Sequence, residues 1–509
     1  MDKFWYLDCW AVCGENKTRL FLSMTHFNSA QNLKKILATH KLEYYGTDAD
    51  TTHLRGIAFD QNPLVIPGIK EQGLFKVDGQ WLYTEGGQAV NKDGLTESVR
   101  VIGDDSIKLA KLLDQGDITE DELLQLSRLL FKFNDPTIVF PVLGYICFCL
   151  IKPRLKTVAG NRCPLLFFQG SPGTGKTETI RLMKNILASQ RSIVNIADST
   201  EASAAVTSSQ SNMHPVFYDE WKFAVVSVPK RRMMDQMVLA TYGQTSIQRA
   251  KSNGTTVHTI FSAPMVLAGE ANIESPSIKH RIIELYFSKI KCNDYSKYFI
   301  QLSQKSLGGL GKALLMHMLK LSDDQLNAEY LNQKNMVASN ITDRFRDNAA
   351  LLRTGLWLLI DYLSSMNIHT SEFQVGYSII DEVIEDMVKQ AKVTNVDKYL
   401  QDMSTMASSG GLVQGHDYDI RDNILRIKIG PVFAKVTRWS KRNGTAEPLT
   451  KHSFTQQLAD KEYYEGKRTG RIGGIAGNAV HIDLSLVPEY VDVDYFKKKN
   501  VIHSSNMAS

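Results

Sequence analysis

A glycine-rich octapeptide, set between an apolar run and a helical pattern, constrains this chain more than any other feature. The segment Gly170-Ser-Pro-Gly-Thr-Gly-Lys-Thr177 fits G-x-x-x-x-G-K-[ST], the pattern of phosphate-binding loops. The apolar residues 164–168 before it predict a buried strand, and residues 178–187 after it predict a helix. In that order the three elements surround one phosphate group with backbone N–H groups and a helix N-terminus.

The loop also predicts which side chains meet a nucleotide. The predicted nucleotide-binding residues are Gly170, Ser171, Pro172, Gly173, Thr174, Gly175, Lys176, Thr177 and Glu178. We expect Lys176 to reach the β- and γ-phosphates and the Thr177 hydroxyl to hold Mg²⁺, so ATP and Mg²⁺ are the predicted cofactors. The alternative is a glycine-rich turn with an exposed lysine, which the flanking strand and helix disfavour.

A second apolar run ends in two acidic residues. Residues 215–218 lead into Asp219 and Glu220, and Asp219 lies 42 residues after Thr177. In a nucleotide site Asp219 would complete the Mg²⁺ shell, and Glu220 would polarise the attacking water as a general base. The alternative is the solvated end of a strand, but the position after a phosphate loop favours the catalytic interpretation.

The following segment predicts a hairpin and two more strands. Alternating β-type runs at 242–250 and 255–260 flank the residues Lys-Ser-Asn-Gly, which predicts a hairpin with Lys251 near its tip. A buried strand at 263–269 precedes Glu270 and Asn272, and Arg281 precedes one more strand.

Composition sets only outer limits. A chain of 509 residues predicts two to four domains, and its net charge, 59 basic minus 54 acidic residues, is a mild +5. Six cysteines without a C-x-x-C pair predict reduced thiols and a cytoplasmic protein. The N-terminus shows no signal-peptide pattern, and the apolar stretch 138–151 is too short to span a bilayer, so we expect a buried helix and no membrane partner.

Periodicity and turn signals divide the chain into six regions within an α/β fold class. They are a β-rich N-terminal domain of unknown role (1–103), a helical linker or collar (104–158), the nucleotide-binding core (159–292), a helical lid region (293–392), a winged-helix-like domain (393–490) and a disordered tail (491–509). Within the first region, Asp78-Gly79 between two alternating runs predicts a hairpin.

The winged-helix-like domain carries a local excess of positive charge. Residues 431–471 hold nine Lys or Arg and four Asp or Glu, an excess of +5. Helices predicted at 396–407, 432–442 and 452–460 precede a glycine-rich basic hairpin, the outline of a winged helix. We expect Lys467, Arg468 and Arg471 in the hairpin to contact DNA phosphates, with Lys435, Arg438, Lys441, Arg442 and Lys451 as further candidates. The alternative is an ordinary solvated surface.

The order of these motifs resembles the AAA+ ATPases that carry a hairpin before their sensor 1 residue. These include superfamily 3 helicases of viruses and MCM-like helicases of bacterial mobile elements. The chain is most similar to the helicase part of primase-helicase-type replication proteins of phages and mobile elements. The resemblance covers about residues 135–485, is most specific at the phosphate loop, and implies an AAA+ core with a helical lid.

The resemblance also implies roles for residues outside the loop. Asn272 would be sensor 1, with Glu270 as the alternative, and Arg344 would be sensor 2. Arg281 matches the arginine that reaches the γ-phosphate of a neighbouring subunit. Lys251, with Arg249 on the same hairpin, would hold DNA in the channel of a ring. For Arg281, Arg344 and Lys251 an ordinary solvated side chain remains the alternative.

The expected function is an ATP-dependent DNA helicase that translocates on single-stranded DNA as a homo-oligomeric ring, a hexamer, during phage or mobile-element replication. Single-stranded and forked DNA, and a primase or another replication protein, are the implied partners. The alternative is an AAA+ origin-binding initiator or helicase loader without processive unwinding. A protein remodeller would instead predict an aromatic residue at the hairpin tip, where this chain has Lys-Ser-Asn-Gly.

Overall fold

The chain folds as two compact units, residues 1–68 and residues 69–509. The computed structural model describes residues 6–13, 16–60, 66–101, 109–221, 227–250, 256–270, 276–341, 343–443, 445–446 and 449–496. The predicted boundary at residue 103 therefore does not separate the N-terminal region from the rest. The division falls earlier, because residues 69–101 pack into the larger unit.

The first unit is a hairpin followed by helices. Strands β1 (Tyr6–Cys13) and β2 (Asn16–Ser23) pair antiparallel, and helices α1 (Ala30–Thr39) and α2 (Asp48–Asp60) follow. Leu33 and Leu37 lie one helical turn apart on α1 and pack against Leu20, Leu22 and Phe27. This region thus contains more helix than the predicted β-rich domain.

The small sheet of the second unit has four strands. The strands of this region are β3 (Gly68–Ile69), β4 (Gly73–Val77), β5 (Gln80–Glu85), β6 (Gln88–Asn91), β7 (Gly94–Leu95) and β8 (Arg100–Val101); the small sheet has the order β4-β5-β6-β7, and β3 pairs separately with β8. Asp78 and Gly79 turn the β4–β5 hairpin with φ of 49° and 82°, as an Asp-Gly hairpin turn requires, so the predicted hairpin is confirmed. Tyr83 of β5 is fully buried in the main core, which explains the earlier boundary.

A buried chain of hydrogen bonds ties the small sheet to the part of the chain that forms the main parallel sheet. The Glu85 carboxylate accepts the N–H groups of Leu112 and Leu113, both at 2.9 Å, and the hydroxyl of Tyr83 at 2.5 Å. His214 Nε2 lies 2.8 Å from the same hydroxyl. Because Tyr83 donates to Glu85, His214 donates to Tyr83 through Nε2. Two residues after His214 the next strand of the main sheet begins.

The main sheet is parallel and five-stranded. Its part of the chain contains α3 (Glu120–Leu130), α4 (Pro136–Leu155), β9 (Leu165–Gly170), α5 (Lys176–Ile186), β10 (Ile193–Asn195), α6 (Glu201–Ser209), β11 (Val216–Trp221), α7 (Val228–Gly243), β12 (Ser246–Ala250), β13 (Thr256–Ile260), β14 (Met265–Gly269), α8 (Pro276–Lys279) and β15 (Ile282–Phe287). The strand order is β10-β11-β14-β9-β15. The carboxyl ends of β9, β11 and β14 therefore lie side by side, and these ends carry the predicted nucleotide-site residues.

Helix α4 is apolar all round. By length and composition it is the one described helix that could cross a membrane, with a mean hydropathy of 1.7 over its most apolar window. However, 94% of that window is buried within the protein, as in the core helix of a globular protein. The predicted buried helix at 138–151 is confirmed.

The helical region after the sheet packs on α4. Its helices are α9 (Lys289–Ser303), α10 (Gly308–Lys320), α11 (Asp323–Met336), α12 (Asp343–Ser365) and α13 (Val375–Lys392). Asp323 at the start of α11 accepts hydrogen bonds from Trp81 Nε1 at 2.7 Å, Lys76 Nζ at 2.7 Å and Arg154 Nη2 at 2.8 Å. One carboxylate thus joins the small sheet, α4 and α11.

The C-terminal part has a separate core and an antiparallel sheet. It contains α14 (Asn395–Ser408), β16 (Tyr418–Arg421), β17 (Ile424–Ile427), α15 (Ile429–Asn443), α16 (Lys451–Ala459), β18 (Tyr464–Ile472) and β19 (Ile475–Asp483), with strand order β16-β17-β19-β18. The three predicted helices are confirmed, whereas the β16–β17 hairpin was not predicted. Val491, Val493 and Phe496 are buried in this core, so the packed chain extends beyond the predicted boundary at residue 490.

Candidate functional site

The backbone of the phosphate loop is shaped by glycines. Gly173 and Gly175 have φ of 74° and 92°, in the left-handed region that side chains with a Cβ avoid. Gly175 immediately precedes α5 and offers no side chain to cap it. The first N–H groups of α5 are therefore left uncapped by any side chain and are available to an anion.

The start of the loop is packed tightly against the neighbouring strand. A Cβ on Gly170 would lie 2.4 Å from the carbonyl oxygen of Phe287 at the end of β15. Thr174 is only 2% exposed, and its hydroxyl donates to the carbonyl of Ser171 at 2.9 Å. The loop is thus held from both sides, and its curved backbone is preorganised.

Lys176 lies across the opening of the loop. Its Nζ donates to the carbonyl oxygens of Gly170 at 2.6 Å and Ser171 at 2.8 Å, and the residue is 8% exposed. The ammonium group is therefore already inside the curve where a phosphate group would bind.

The structure brings the two predicted magnesium ligands together. The Thr177 hydroxyl donates a 2.9 Å hydrogen bond to Asp219 Oδ2 at the carboxyl end of β11. The other carboxylate oxygen of Asp219 accepts the N–H of Glu220 at 2.8 Å. A hydroxyl and a carboxylate are the oxygen ligands that Mg²⁺ takes from a protein when phosphates and water supply the remainder.

Glu220 occupies an unusual backbone conformation. Its φ is 61°, and the pairing of β11 with β14 shifts register between Tyr218 and Trp221. A positive φ at a residue with a side chain costs about 1–3 kcal/mol, and such strain concentrates at functional sites. The Glu220 side chain is exposed at the edge of the sheet that carries the phosphate loop.

The bulge at Glu220 depends on a glycine in the next strand. Gly269 of β14 pairs with Trp221, and a Cβ on Gly269 would lie 2.1 Å from the carbonyl oxygen of Trp221. Glu270 follows directly and is exposed at the same edge. The alternative sensor 1 residue, Asn272, lies outside the described residues. Glu178, the last predicted loop residue, forms an ion pair with Arg181 one turn along α5.

Arg281 and Arg344 lie at the opposite edge of the sheet. The carbonyl of Arg281 accepts the N–H of Leu165 at 3.0 Å, so Arg281 sits at the amino end of β9. The phosphate loop begins at the other end of that strand, about 17 Å away at roughly 3.3 Å per residue. The Arg281 guanidinium lies 5.7 Å from the centre of the Tyr242 ring. The structure therefore does not bring Arg281 to the phosphate loop of its own chain.

The two arginines are close to each other. Burial and the nearby charge of Arg344 lower the pKa of Arg281. Both guanidinium groups also act on the Tyr242 hydroxyl, although burial dominates and raises the pKa of Tyr242. Arg344, the predicted sensor 2, is thus placed with Arg281 and away from the loop.

Further cations lie near this pair. Asp347 is 4% exposed and forms ion pairs with Arg162 and with Lys334, the latter at 2.6 Å. The charge of Arg162 also acts on Tyr242. With Arg281 and Arg344, the amino edge of the sheet therefore carries more positive than negative charge among these residues.

The predicted hairpin before β14 is confirmed. Strands β12 and β13 pair antiparallel from Ser246 opposite Ile260 to Ala250 opposite Thr256. Arg249 pairs with Val257 in this ladder, but its side chain is not among those described. Lys251 at the predicted tip lies outside the described residues. The backbone thus forms the predicted hairpin, and the role of its tip stays a prediction.

The basic hairpin of the C-terminal part is also present. Strands β18 and β19 pair over their length, and Gly473 and Gly474 make the turn. Lys467, Arg468 and Arg471 are exposed, and Arg468 forms an ion pair with Glu465 at 3.3 Å.

Two cations of the C-terminal part serve its fold. Lys435 Nζ lies 2.8 Å from the fully buried carboxylate of Asp417, so Lys435 is already paired. Lys461 is likewise paired with Asp397 at 2.7 Å. These two residues therefore contribute less to a phosphate-binding face than their place in the basic segment predicts, whereas Arg438, Lys441 and Arg442 are exposed.

Lys289, which lies beside the phosphate loop, was not among the site residues predicted from the sequence. Lys289 begins α9 directly after β15, and its Cε lies 3.8 Å from where a Cβ on Gly173 would be. No motif marks this residue. The signal that was available is topological, because residues following a strand adjacent to β9 emerge next to the phosphate loop.

Comparison with known proteins identifies the fold. No protein-family model matches the chain, and no curated protein matches it. A solved structure described as "SCCmec type IV Cch - active helicase" superposes with a TM-score of 0.61 at 13% identity, over 92% of this chain and 89% of that chain. This chain shares the fold of that structure. At 13% identity the likeness extends to the fold alone.

Two other solved structures match this chain with lower TM-scores. They are the apo A form of the NrS-1 C-terminal region, with a TM-score of 0.33 at 13% identity over 89% of this chain and 98% of that chain, and a JCV helicase bound to a small molecule, with a TM-score of 0.23 at 14% identity over 48% and 72%. TM-scores at this level carry no argument about the fold.

Proposed function

We propose that this protein is an ATP-dependent DNA helicase that translocates on single-stranded DNA as a hexameric ring, in the replication of a phage or mobile element. The observation that supports the proposal is the hydrogen bond between Thr177 and Asp219, which brings two oxygen ligands suited to Mg²⁺ together at the edge of the parallel sheet. The ring, the DNA substrate and the replicon rest on the motif order of the sequence.

The residues present fit Mg²⁺ and a triphosphate. No group of three or more His, Cys, Asp or Glu residues in the described ranges could hold a metal alone. Mg²⁺ in nucleotide sites takes one or two protein ligands and completes its shell with phosphate oxygens and water, so Thr177 and Asp219 suffice. Bound Mg²⁺ would neutralise charge that develops on the phosphate oxygens.

Lys176 and Glu220 would bind the phosphates and accept a proton, respectively. Lys176 would bind the phosphates with the ammonium group that now contacts the carbonyls of Gly170 and Ser171. Glu220, exposed on a strained bulge at the same edge, would accept a proton from the attacking water. The lack of a Cβ at Gly269 leaves room for the Trp221 carbonyl beside that bulge.

Arg281 would act on the nucleotide of a neighbouring protomer. Its position at the amino end of β9 is about 17 Å from its own loop, so a role at the γ-phosphate requires a second copy of the chain. A head-to-tail contact that repeats around an axis closes into a ring. Lys251, on the hairpin between β11 and β14, would then hold DNA phosphates in the channel.

A forked-duplex unwinding assay tests the proposal. The wild-type protein with ATP and Mg²⁺ should separate the strands, and Lys176→Ala should not, whereas the exposed Lys320→Ala on α10 serves as the matched control. Lys251→Ala should lose unwinding while keeping ATP hydrolysis. Full unwinding by Lys251→Ala would contradict a role of the hairpin in translocation. Absence of unwinding by the wild type would contradict the helicase assignment.

A second candidate is an origin-binding initiator or helicase loader, and the C-terminal part favours it. That part, which we propose is a winged helix, has a separate core and an exposed hairpin carrying Lys467 and Arg471. A double Lys467→Ala, Arg471→Ala variant should weaken duplex binding and reduce the slope of log affinity against log salt by about 2. Tight duplex binding by a wild type that does not unwind DNA would select this candidate.

A further inference from the structure

The chain that leaves β15 passes directly beside the phosphate loop. Phe287, the last residue of β15, pairs with Gly170, and its carbonyl oxygen is so close that no side chain fits on Gly170. Ser288 and Lys289 then begin α9. The first turn of α9 is therefore anchored next to the site by strand pairing rather than by a loop.

Lys289 extends along the glycine at the bend of the loop. Its Cε lies 3.8 Å from where a Cβ on Gly173 would be, an ordinary van der Waals contact. The ammonium group is one bond beyond Cε. Lys289 is exposed, and within the part of the chain that the structure describes it makes no ion pair or hydrogen bond. Its charge is thus available to an anion in the loop.

Lys289 does not stabilise α9. Lys289 is the first residue of α9, where the helix dipole disfavours a cation by about 0.3–1 kcal/mol. The first turn contains no acidic residue to offset it, and Ser288 makes no side-chain cap. A lysine at this point weakens the isolated helix. A bound anion would offset this unfavourable interaction with the helix dipole.

The charge balance of the site gives the same indication. Asp219, Glu220 and Glu270 contribute negative charge at this edge of the sheet, while Lys176 contributes one positive charge inside the loop. Arg281 and Arg344 are at the far edge. A triphosphate bound here would meet these three carboxylates and one cation, and Lys289 would supply a second cation from the same chain.

We propose that Lys289 binds the phosphate chain of the nucleotide held by the loop, as a second lysine supplied by the same protomer. This inference rests on the proposed function, since it requires a nucleotide in the loop. Lys289 contributes binding energy to any polyphosphate in the site, whereas Arg281 and Arg344 remain for contacts outside their own loop.

Equilibrium binding of a fluorescent ATP analogue to the full-length protein with Mg²⁺ tests the inference. Lys289→Ala should raise the Kd about tenfold, and Lys289→Arg should stay within about threefold of wild type, because a charge-assisted phosphate contact is kept. Lys297→Ala, on the same helix and exposed, is the matched control and should bind as the wild type does.

Competition with inorganic triphosphate separates a phosphate contact from a base contact. The Ki of inorganic triphosphate, corrected for the Kd of the analogue, should be about tenfold higher for Lys289→Ala than for wild type. An unchanged Ki, or unchanged binding of the analogue by Lys289→Ala, overturns the inference alone. If the wild type binds no nucleotide, the proposed function falls and this inference falls with it.

Discussion

The hydroxyl of Thr177, in the first turn of α5, donates a hydrogen bond of 2.9 Å to the carboxylate of Asp219 near the carboxyl end of strand β11. Because this pair would share Mg²⁺, Asp219→Asn should keep nucleotide binding in the presence of a chelator and lose magnesium-dependent hydrolysis by a factor of about 100 or more. Phosphate release and nucleotide titration measure the two properties. The exposed Asp198→Asn is the control, and equal hydrolysis by both variants would contradict the assignment.

Gly269→Ala should destabilise the protein and reduce hydrolysis together. The new Cβ would lie 2.1 Å from the carbonyl of Trp221, so either strand must shift, at a cost of about 1–3 kcal/mol. The shift would also move Glu220 on its bulge. Chemical denaturation and ATPase assays measure both effects. Gly430→Ala is the control, because its added Cβ would approach only the end of the Lys451 side chain, and it should change neither stability nor hydrolysis. If Gly269→Ala were as stable and as active as the wild type, the close packing would be contradicted.

Stability should fall between pH 7 and pH 5 because of His214. Burial and the charge of Arg191 lower the pKa of His214 to about 3 from 6.5. Below pH 6.5 the unfolded chain binds a proton that the folded chain excludes, so stability is lost as the pH falls, by about 2 kcal/mol at pH 5.

Denaturant unfolding of His214→Gln at the two pH values isolates this contribution. The variant should be less stable at pH 7, because Tyr83 loses the histidine as its hydrogen-bond donor, yet it should lose less stability on acidification than wild type. The exposed His369→Gln should keep the wild-type loss. An undiminished loss in His214→Gln would show that other groups cause the acid sensitivity.

Mixing two inactive variants should restore ATP hydrolysis. Arg281→Ala keeps an intact phosphate loop, and Lys176→Ala keeps an intact Arg281, so a contact between the two can assemble one complete site. We expect each variant alone to lose at least about tenfold in rate and an equimolar mixture to recover up to about a quarter of the wild-type rate. A mixture no more active than its components would place Arg281 outside the neighbour's site.

Short-range patterns predicted the parts of the fold that local chemistry determines. The Asp78-Gly79 hairpin needs only left-handed φ values in its turn, and the buried helix α4 shows itself by an uninterrupted apolar run. The phosphate loop is likewise determined by local sequence, because Gly173 and Gly175 adopt the positive φ values that its curved backbone requires. For these elements the information lies within about twenty neighbouring residues.

Features that depend on distant contacts were not predicted. The boundary at residue 68 follows from contacts such as the hydrogen bond between Tyr83 and His214, which are 131 residues apart in the sequence. Lys289 is placed by the pairing of Phe287 with Gly170, which the sequence does not reveal until the strand order is known. Asn272 and Lys251 remain sequence predictions, because they lie outside the described residues.

The separation between the two ends of β9 determines how many catalytic centres an assembly can complete. One end begins the phosphate loop and the other carries the backbone contact to Arg281, so the loop and the arginine of one copy cannot meet each other. A linear stack would always leave one loop without its arginine. Under the proposed role of Arg281, an assembly closed by rotation, in which every loop meets the arginine of another copy, makes the number of working catalytic centres equal to the number of subunits.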